Sequence, residues 1–255
     1  MSFTVIIPAR LASTRLPGKA LLDLCGKSMI QRVYEQASQS DAKQVIVATD
    51  DVSIEREVIR FGGNVSMTSI DHVSGTDRVQ EVCSQCGLDP DEVVVNVQGD
   101  EPIIPPSVIN QVARNLVSPN VESVSRVATL YEPIDNLQDI IDPNVVKVVV
   151  DVDGMALYFS RAPIPWDRDR MPEGFSNGAY KRHVGIYAYK VGMLNEYVTW
   201  QADEIELVEK LEQLRILRQG HRIHIDKAVQ SIPPGIDTPQ DLERTRAYLE
   251  SRAPQ

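Results

Sequence analysis

The sequence predicts an α/β fold in which helices flank a mostly parallel sheet. Short β-branched runs alternate with amphipathic helical patterns along the first part of the chain. The run 93–97 is continuously apolar, as in strands that are buried on both faces of a parallel sheet. From about residue 125 to about 200 the strands become closely spaced, which indicates a smaller β-rich insertion. This alternation of strands and helices is typical of a Rossmann-like architecture.

The individual elements follow from hydrophobic periodicity and from signals at their ends. In the first part of the chain, strands are predicted at 4–7, 45–48 and 93–97, and helices at 26–40, 52–61 and 75–86. Later elements are a hairpin of strands 145–150 and 156–159, a strand at 185–189, a helix at 205–218 and a strand at 222–225. A last helix begins near Thr238, which is a suitable N-cap, because Pro239 follows at the first helical position.

Length and charge limit the possible functions. The chain has 255 residues, with 26 Lys+Arg against 36 Asp+Glu, so its formal net charge is −10. We interpret residues 1–255 as a single domain. An acidic chain is a poor candidate for general binding to nucleic acid or to anionic membranes. No apolar run approaches the ~20 residues of a membrane span, no secretory signal is recognised, and the three cysteines are few. We therefore expect a cytoplasmic protein without membrane insertion.

A cluster of cations follows the first predicted strand. Arg10, Arg15 and Lys19 fall within ten positions, and small residues between them allow backbone N–H groups to approach an anion. Ligands of open α/β sheets lie beyond the carboxyl ends of the strands. The cluster therefore predicts a loop that grips a triphosphate, with a solvated basic loop as the alternative. The Walker A pattern fails because Leu21 stands where it needs Gly, and no G-x-G-x-x-G follows a strand.

Two carboxylates are candidates for a metal site. Asp100 follows the strand 93–97, where a hard oxygen ligand is suited to Mg²⁺. Gln98, two residues earlier, is expected on the same side. Asp237 precedes the last helix, and it either supports the start of that helix or joins Asp100 on one Mg²⁺. The second interpretation predicts a site for phosphoryl transfer.

Two other patterns are not interpreted as metal sites. Cys83 and Cys86 lack the second ligand pair that a zinc site needs. Asp151 and Asp153 resemble an acidic metal motif of glycosyltransferases, but Gly154 directly after them favours the turn of a hairpin.

Several segments together resemble one known family. They are 5–10, 13–19, 45–50, 74–78, 95–102, 156–161, 164–168, 183–187, 211–215 and 237–239. In this order, and nearly from end to end, the chain resembles the CMP-KDO synthetases (3-deoxy-manno-octulosonate cytidylyltransferases). Leu11 and Ala20 replace the Tyr and Pro usual in the family, and neither change removes a group that handles phosphate. The resemblance implies a fold of the nucleotide-diphospho-sugar transferase type.

The family makes CMP-KDO and pyrophosphate from CTP and KDO for lipopolysaccharide biosynthesis, with Mg²⁺ as cofactor. The resemblance implies in-line attack on the α-phosphate, and a homodimer with contacts through the insertion. The implied catalytic residues are Arg10, Lys19, Asp100 and Asp237, of which Asp100 and Asp237 would bind the metal. The implied nucleotide-binding residues are Arg10, Arg15, Lys19, Ser74, Arg78, Gln98 and Asp100. The implied sugar-binding residues are Gln98, Arg161, His183, Tyr187, Glu212 and Gln213.

The identity of the acceptor stays open at the level of sequence. KDO is a carboxylate, for which Arg161 is the natural cationic partner, unless that residue lies on the surface of the insertion. A sialic acid or an amino-substituted octulosonate is an alternative acceptor. A nucleotide-binding regulator without turnover is an alternative of a different class, although both carboxylates and all three cations are present.

Overall fold

The computed structural model describes residues 2–12 and 16–251 of the chain. Its strands are β1 Phe3–Ala9, β2 Gln44–Thr49, β3 Val65–Met67, β4 Val93–Asn96, β5 Val127–Pro133, β6 Lys147–Val150, β7 Ala156–Ser160, β8 Lys181–Lys190 and β9 His224–Lys227. The main path of the sheet runs β3-β2-β1-β4-β8-β5-β9. Along this path in the described ranges, β8 is the one strand antiparallel to its neighbours, β4 and β5. The expected mostly parallel, open sheet is therefore confirmed.

Helices cover both faces of this sheet. They are α1 Met29–Ser38, α2 Val52–Arg60, α3 Gly75–Gln85, α4 Pro106–Leu116, α5 Pro119–Glu122, α6 Leu137–Ile141, α7 Val191–Tyr197, α8 Glu204–Glu209, α9 Gln213–Arg218 and α10 Pro239–Ser251. Val5 and Ile7 of β1 pack in one core cluster with α1, α2 and α4, whereas Ile6 packs in another with α3, α7 and α9. Burial on both faces explains the continuously apolar strands. None of the described helices is both long and apolar enough to span a membrane.

The segment from about 125 to 200 contributes to the central sheet as well as to a hairpin that packs in the core through Val148 and Phe159. Strands β5 and β8 lie within the main path, between β4 and β9. Strands β6 and β7 pair with each other, and β6 joins β8 where Lys147 lies opposite Arg182. The turn of this hairpin has Gly154 at φ +75°, and Asp151 Oδ1 accepts N–H groups of the turn backbone. The predicted hairpin turn is therefore confirmed.

The single helix predicted at 205–218 is wrong, because the chain forms two short helices there. Lys210 adopts a left-handed conformation with φ +55° and ends α8. The break lets Arg215 of α9 fold back onto Glu206 of α8, with Nη2 to Oε1 at 2.5 Å and both side chains buried. In one continuous helix these residues, nine positions apart, would lie on opposite faces. The buried ion pair therefore requires the break.

Candidate active site

The ends of β1 and β4 and the start of α3 form the walls of a deep cleft. The cleft has a volume of about 680 Å³. The predicted residues in its wall are Arg10, Lys19, Ser74, Arg78, Gln98, Asp100 and Asp237. Arg15 lies outside the described residues. The strand ends approach so closely that a Cβ added at Gly99 would stand 2.9 Å from the carbonyl oxygen of Pro8. Glycine at this position therefore permits the two walls to meet.

One lysine connects the two predicted metal ligands at the base of this cleft. Lys19 Nζ lies 2.7 Å from Asp100 Oδ2 and 2.9 Å from Asp237 Oδ1. The backbone N–H of Ile236 donates to the carbonyl oxygen of Asp100 at 2.9 Å, which holds the segments carrying the two carboxylates together. The structure thus brings together three residues that are far apart in sequence. Both carboxylates converge on one cation position.

The two carboxylates match what Mg²⁺ requires of a protein. Mg²⁺ in nucleotide-dependent enzymes is commonly held by one or two carboxylates, and substrate phosphates and water complete its coordination. Among the described residues, no group of three or more His, Cys, Asp and Glu side chains is arranged to hold a metal. Asp100 and Asp237 supply two ligands next to an open cleft, so the donor set fits a metal that is bound together with nucleotide. Their role as metal ligands stays a prediction.

Ser74 and Arg78 are placed by helix α3. Ser74 is its N-cap and forms a capping box with Asp77, so the start of the helix is fixed at the wall of the cleft. The guanidinium of Arg78 is buried and donates to Asp50 Oδ2 at 2.7 Å and also to the hydroxyl of Thr68. The charge of Arg78 is therefore neutralised within the protein. The sequence predicts no role for Asp50. It directly follows β2, however, and residues after the strands of an open α/β sheet lie near the ligand site.

A second cavity adjoins the first and has a volume of about 480 Å³. All six residues predicted to bind the sugar line it: Gln98, Arg161, His183, Tyr187, Glu212 and Gln213. Gly75, Gln98, Glu212 and Asp237 line both cavities. A molecule in the second cavity would therefore meet a molecule in the cleft beside Gln98 and Asp237. Binding of a sugar by these six residues stays a prediction.

Arg161 is held rigidly at the wall of this second cavity. Its Nε donates to the carbonyl oxygen of Glu209 at 2.7 Å, and its Nη1 donates to that of Pro143 at 2.8 Å. These acceptors are neutral, and Arg161 makes no ion pair with a carboxylate in the described part of the chain. Its positive charge is therefore held in place at the wall of the cavity.

His183 and Tyr187 lie on β8, where its pairing with β5 is irregular. The register shifts between Thr129 and Leu130, and this bulge turns the strand beside the cavity. The Nε2 atom of His183 lies 3.0 Å from Thr129 Oγ1, and its ring contacts that of Phe159.

Burial, followed by the nearby charge of Arg182, lowers the pKa of His183 to about 3. At neutral pH this imidazole is therefore uncharged. Burial likewise raises the pKa of Tyr187, so its phenol keeps its proton.

Glu212 and Gln213 reach the cavity because of the break between α8 and α9. Glu212 Oε2 accepts a hydrogen bond from Thr76 Oγ1 at 3.0 Å, which links α9 to the start of α3. The side chain is open to both cavities, but the surrounding protein displaces water, and this desolvation raises the pKa of Glu212. Gln213 is buried at the first position of α9.

Sequence reasoning missed several residues of the second cavity. Asn96, Thr76, Tyr197 and Lys210 also line it. Asn96 precedes Gln98 by two positions on an extended strand, so the alternation of side chains is a signal that places both on one side. Tyr197 ends α7 and lies outside every motif, so the sequence alone carries no comparable signal for it.

Comparisons with known proteins identify the family of the chain. A family model described as cytidylyltransferase matches residues 4–223. A 3-deoxy-manno-octulosonate cytidylyltransferase from Aliivibrio fischeri (strain MJ11) is 57% identical, with 98% of this chain and 99% of that protein covered. A protein of the same name from Saccharophagus degradans is 56% identical, with 98% and 100% covered.

Two solved structures resemble the chain to different degrees. A CMP:2-keto-3-deoxy-manno-octonic acid synthetase complexed with CTP is 41% identical and has a TM-score of 0.88, with 99% of each chain covered. A 4-diphosphocytidyl-2C-methyl-D-erythritol synthase from Anaerococcus prevotii is only 13% identical, with a TM-score of 0.62 over 98% of this chain and 96% of that one, and shares the fold alone. The chain therefore belongs to the cytidylyltransferase family, among the 3-deoxy-manno-octulosonate cytidylyltransferases.

Proposed function

We propose that this protein transfers the CMP part of CTP to KDO and releases pyrophosphate, as a step of lipopolysaccharide biosynthesis. The observation that carries this proposal is the pair of adjoining cavities with Gln98 and Asp237 in their common wall. One cavity has the cations and strand ends suited to a triphosphate, and the other contains the fixed cation Arg161 together with polar side chains and the carboxyl groups of Glu212 and Asp237. The names of the relatives, and the CTP complex of the similar structure, support these two substrates.

The chemistry requires little more than positioning and neutralisation of charge. The anomeric hydroxyl of the acceptor attacks the α-phosphorus of CTP in line. As the new P–O bond forms, the bond from the α-phosphorus to the α,β-bridging oxygen breaks, pyrophosphate leaves, and the hydroxyl proton passes to solvent. Two reactants held in adjoining cavities approach at a fixed angle, which removes much of the entropic cost of their encounter. Arg10, exposed in the wall of the cleft, and Lys19 at its base would bind phosphate oxygens.

Asp100 and Asp237, whose carboxylates both contact the Lys19 ammonium, would hold Mg²⁺. The metal, when bound, neutralises negative charge on the phosphates and on the departing pyrophosphate. Lys19 would then leave the carboxylates and bind phosphate oxygens.

The second cavity, lined by Arg161 and His183 among others, is called the acceptor cavity because it would hold the sugar acid. Its residues differ in charge. Arg161 carries a fixed positive charge and would bind the carboxylate of the sugar acid. His183, whose pKa is lowered to about 3, is neutral at physiological pH, so it would hydrogen-bond a hydroxyl rather than pair with the carboxylate.

The assembly and the compartment are also part of the proposal. The insertion exposes Leu157, Tyr158 and Trp166, and apolar surface of this kind favours contact with a second copy of the chain. Three free cysteines suit a reducing cytoplasm. Sedimentation equilibrium should report the mass of two chains, and the mass of one chain would contradict the homodimer.

The activity is tested by following pyrophosphate after the protein is mixed with CTP, KDO and Mg²⁺. Pyrophosphate release with KDO is expected. Release only with a sialic acid or an amino-substituted octulosonate would show that this other acid is the acceptor. Binding of CTP without release of pyrophosphate from any of these acids would instead support a regulator.

A matched pair of variants connects the activity to the carboxylates. Asp100→Asn should lower the rate about 100-fold or more, because several kcal/mol of charge stabilisation are lost. The control is Asp153→Asn. Asp153 lies in the hairpin turn, far from Asp100 in sequence, and this variant should keep the wild-type rate. Equal rates for the two variants would refute the role of Asp100.

A further inference from the structure

Three buried residues in the wall of the acceptor cavity each carry a polar atom that has no hydrogen-bond partner within the described ranges. The atoms are Asn96 Oδ1, the hydroxyl of Tyr187 and the hydroxyl of Tyr197. The exposed fractions of these three residues are only 2%, 8% and 2%. Buried polar atoms in native proteins nearly always have a partner, because an unpaired one costs folding free energy. Three such atoms around one cavity therefore indicate that a ligand supplies the missing partners.

The chemistry of these atoms defines the groups that would satisfy them. Burial is the main cause that raises the pKa of Tyr197, and the nearby carboxylate of Glu212 adds to it, so the phenol keeps its proton. A phenol both donates and accepts, whereas the side-chain carbonyl of Asn96 accepts. All these groups are neutral. They match the neutral hydroxyl groups of a sugar, while the fixed charge of Arg161 matches a carboxylate.

The ring of Tyr197 is held in place without help from its hydroxyl. It packs edge-on against Trp200, with ring centroids 6.0 Å apart, and the guanidinium carbon of Arg215 lies 4.5 Å from its centroid. Arg215 is itself fixed by its buried ion pair with Glu206. Tyr197 is therefore a rigidly held part of the cavity wall. Asn96 is fixed as well, since it lies at the end of β4 between Ile6 and Tyr187.

We infer that Asn96 and Tyr197 determine specificity in the acceptor cavity by hydrogen-bonding hydroxyl groups of the sugar acid. This inference rests on the proposed function and adds two residues to the predicted sugar site. A site built to bind a hydroxyl rejects an analogue that lacks it, because the buried polar atoms of the site stay unpaired. Asn96 and Tyr197 therefore favour a polyhydroxylated acid over its deoxy analogues.

The test is a set of variants that change single polar atoms. Tyr197→Phe removes one oxygen and keeps the ring, and Asn96→Leu replaces the amide with an apolar group of similar shape. Tyr180→Phe is the matched control, because Tyr180 is also a buried tyrosine but packs in a separate cluster with Ile134 and Met171.

Tyr197→Phe and Asn96→Leu should each raise the KM for KDO about tenfold, the effect of one hydrogen bond, and leave the KM for CTP unchanged. Tyr180→Phe should change neither constant. For wild type, a KDO analogue with the contacted hydroxyl replaced by hydrogen should also show a KM about tenfold higher, with no further rise in Tyr197→Phe.

A wild-type KM for KDO in Tyr197→Phe and Asn96→Leu would overturn the inference. Equal changes in both KM values, accompanied by a lower Tm, would also overturn it, because they would show a structural role. Pyrophosphate release by wild type tests the proposed function separately. Isothermal titration of KDO into wild type and the variants measures the same tenfold difference without turnover, so the two failures are distinguishable.

Discussion

The ammonium of Lys19 lies where two carboxylates need a cation. It contacts Asp100 at 2.7 Å and Asp237 at 2.9 Å, and its side chain is largely shielded from solvent. A divalent cation that approaches the protein without nucleotide must displace this ammonium. A triphosphate offers Lys19 other anionic oxygens, so nucleotide should assist the metal and the metal should assist nucleotide by the same factor.

Replacement of Lys19 by Met should therefore raise the affinity of the nucleotide-free protein for Mn²⁺, a spectroscopic substitute for Mg²⁺. We expect a gain of about tenfold, because charge-assisted hydrogen bonds of about 1.5–3 kcal/mol no longer compete. Electron paramagnetic resonance of unbound Mn²⁺ measures the affinity, and pyrophosphate release should fall in the same variant. Lys27→Met removes a lysine that pairs with Glu35 elsewhere and is the control. A lower Mn²⁺ affinity in Lys19→Met would contradict competition.

At the scale of single residues, the sequence predicts which side chains lie together in the site, but not which ion pairs they form. Lys19 and Asp100 are predicted near each other because ligands gather at the ends of parallel strands, whereas Asp237 joins them through the family resemblance. The ion pair between Arg78 and Asp50 was not predicted. It joins residues of α3 and the end of β2, and such a pairing depends on how a helix packs on the sheet rather than on any local pattern.

Among the elements, helices α8 and α9 depart furthest from what the sequence suggests. The spacing of Leu207, Leu211 and Leu214 is that of one helix face, yet Leu207 is 53% exposed whereas Leu211 and Leu214 are buried. Lys is a good helix former, so nothing local predicts the left-handed conformation of Lys210. The break is explained by tertiary contacts, above all by the ion pair of Glu206 with Arg215.

The left-handed conformation of Lys210 gives a prediction for this element. Lys210→Gly should be more stable than Lys210→Ala by about 0.5–1 kcal/mol, because glycine adopts positive φ without the Cβ clash. Both variants lose the same side chain from the cavity wall, so their difference isolates the backbone. Urea denaturation of the two proteins measures this difference in the free energy of unfolding. Greater stability of the alanine variant would show that the break is not strained.

Across the whole molecule, the site depends on a strand order that the sequence does not reveal. The cleft beside β1 and β4 follows from strand ends that are predictable from apolar runs and the residues after them. The acceptor cavity instead depends on β8, which lies antiparallel between β4 and β5 although it is distant from both in sequence. Pairing at such separation is set by the packing of the complete sheet, so the motifs identified the cavity residues without showing their arrangement.

Because His183 lies on this central strand, its titration should affect the stability of the whole molecule. Burial, with the charge of Arg182 as a second cause, lowers its pKa from 6.5 to about 3 in the folded protein. Between these values the unfolded chain binds the proton and the folded chain does not, so stability falls as pH falls through this window. The loss from this one group is about 1.4 kcal/mol per pH unit.

His183→Gln should remove this part of the pH dependence, since glutamine does not titrate and still offers a hydrogen bond to Thr129. Between pH 6.5 and about pH 4.5, wild type should lose about 2–3 kcal/mol more of its free energy of unfolding than the variant. Urea denaturation of both proteins at the two pH values measures the difference. All other titrating groups are common to the two proteins and cancel. Equal losses would mean that His183 accepts a proton in the folded state, and the imidazole would then be a further cation in the acceptor cavity rather than a neutral partner for hydroxyl groups.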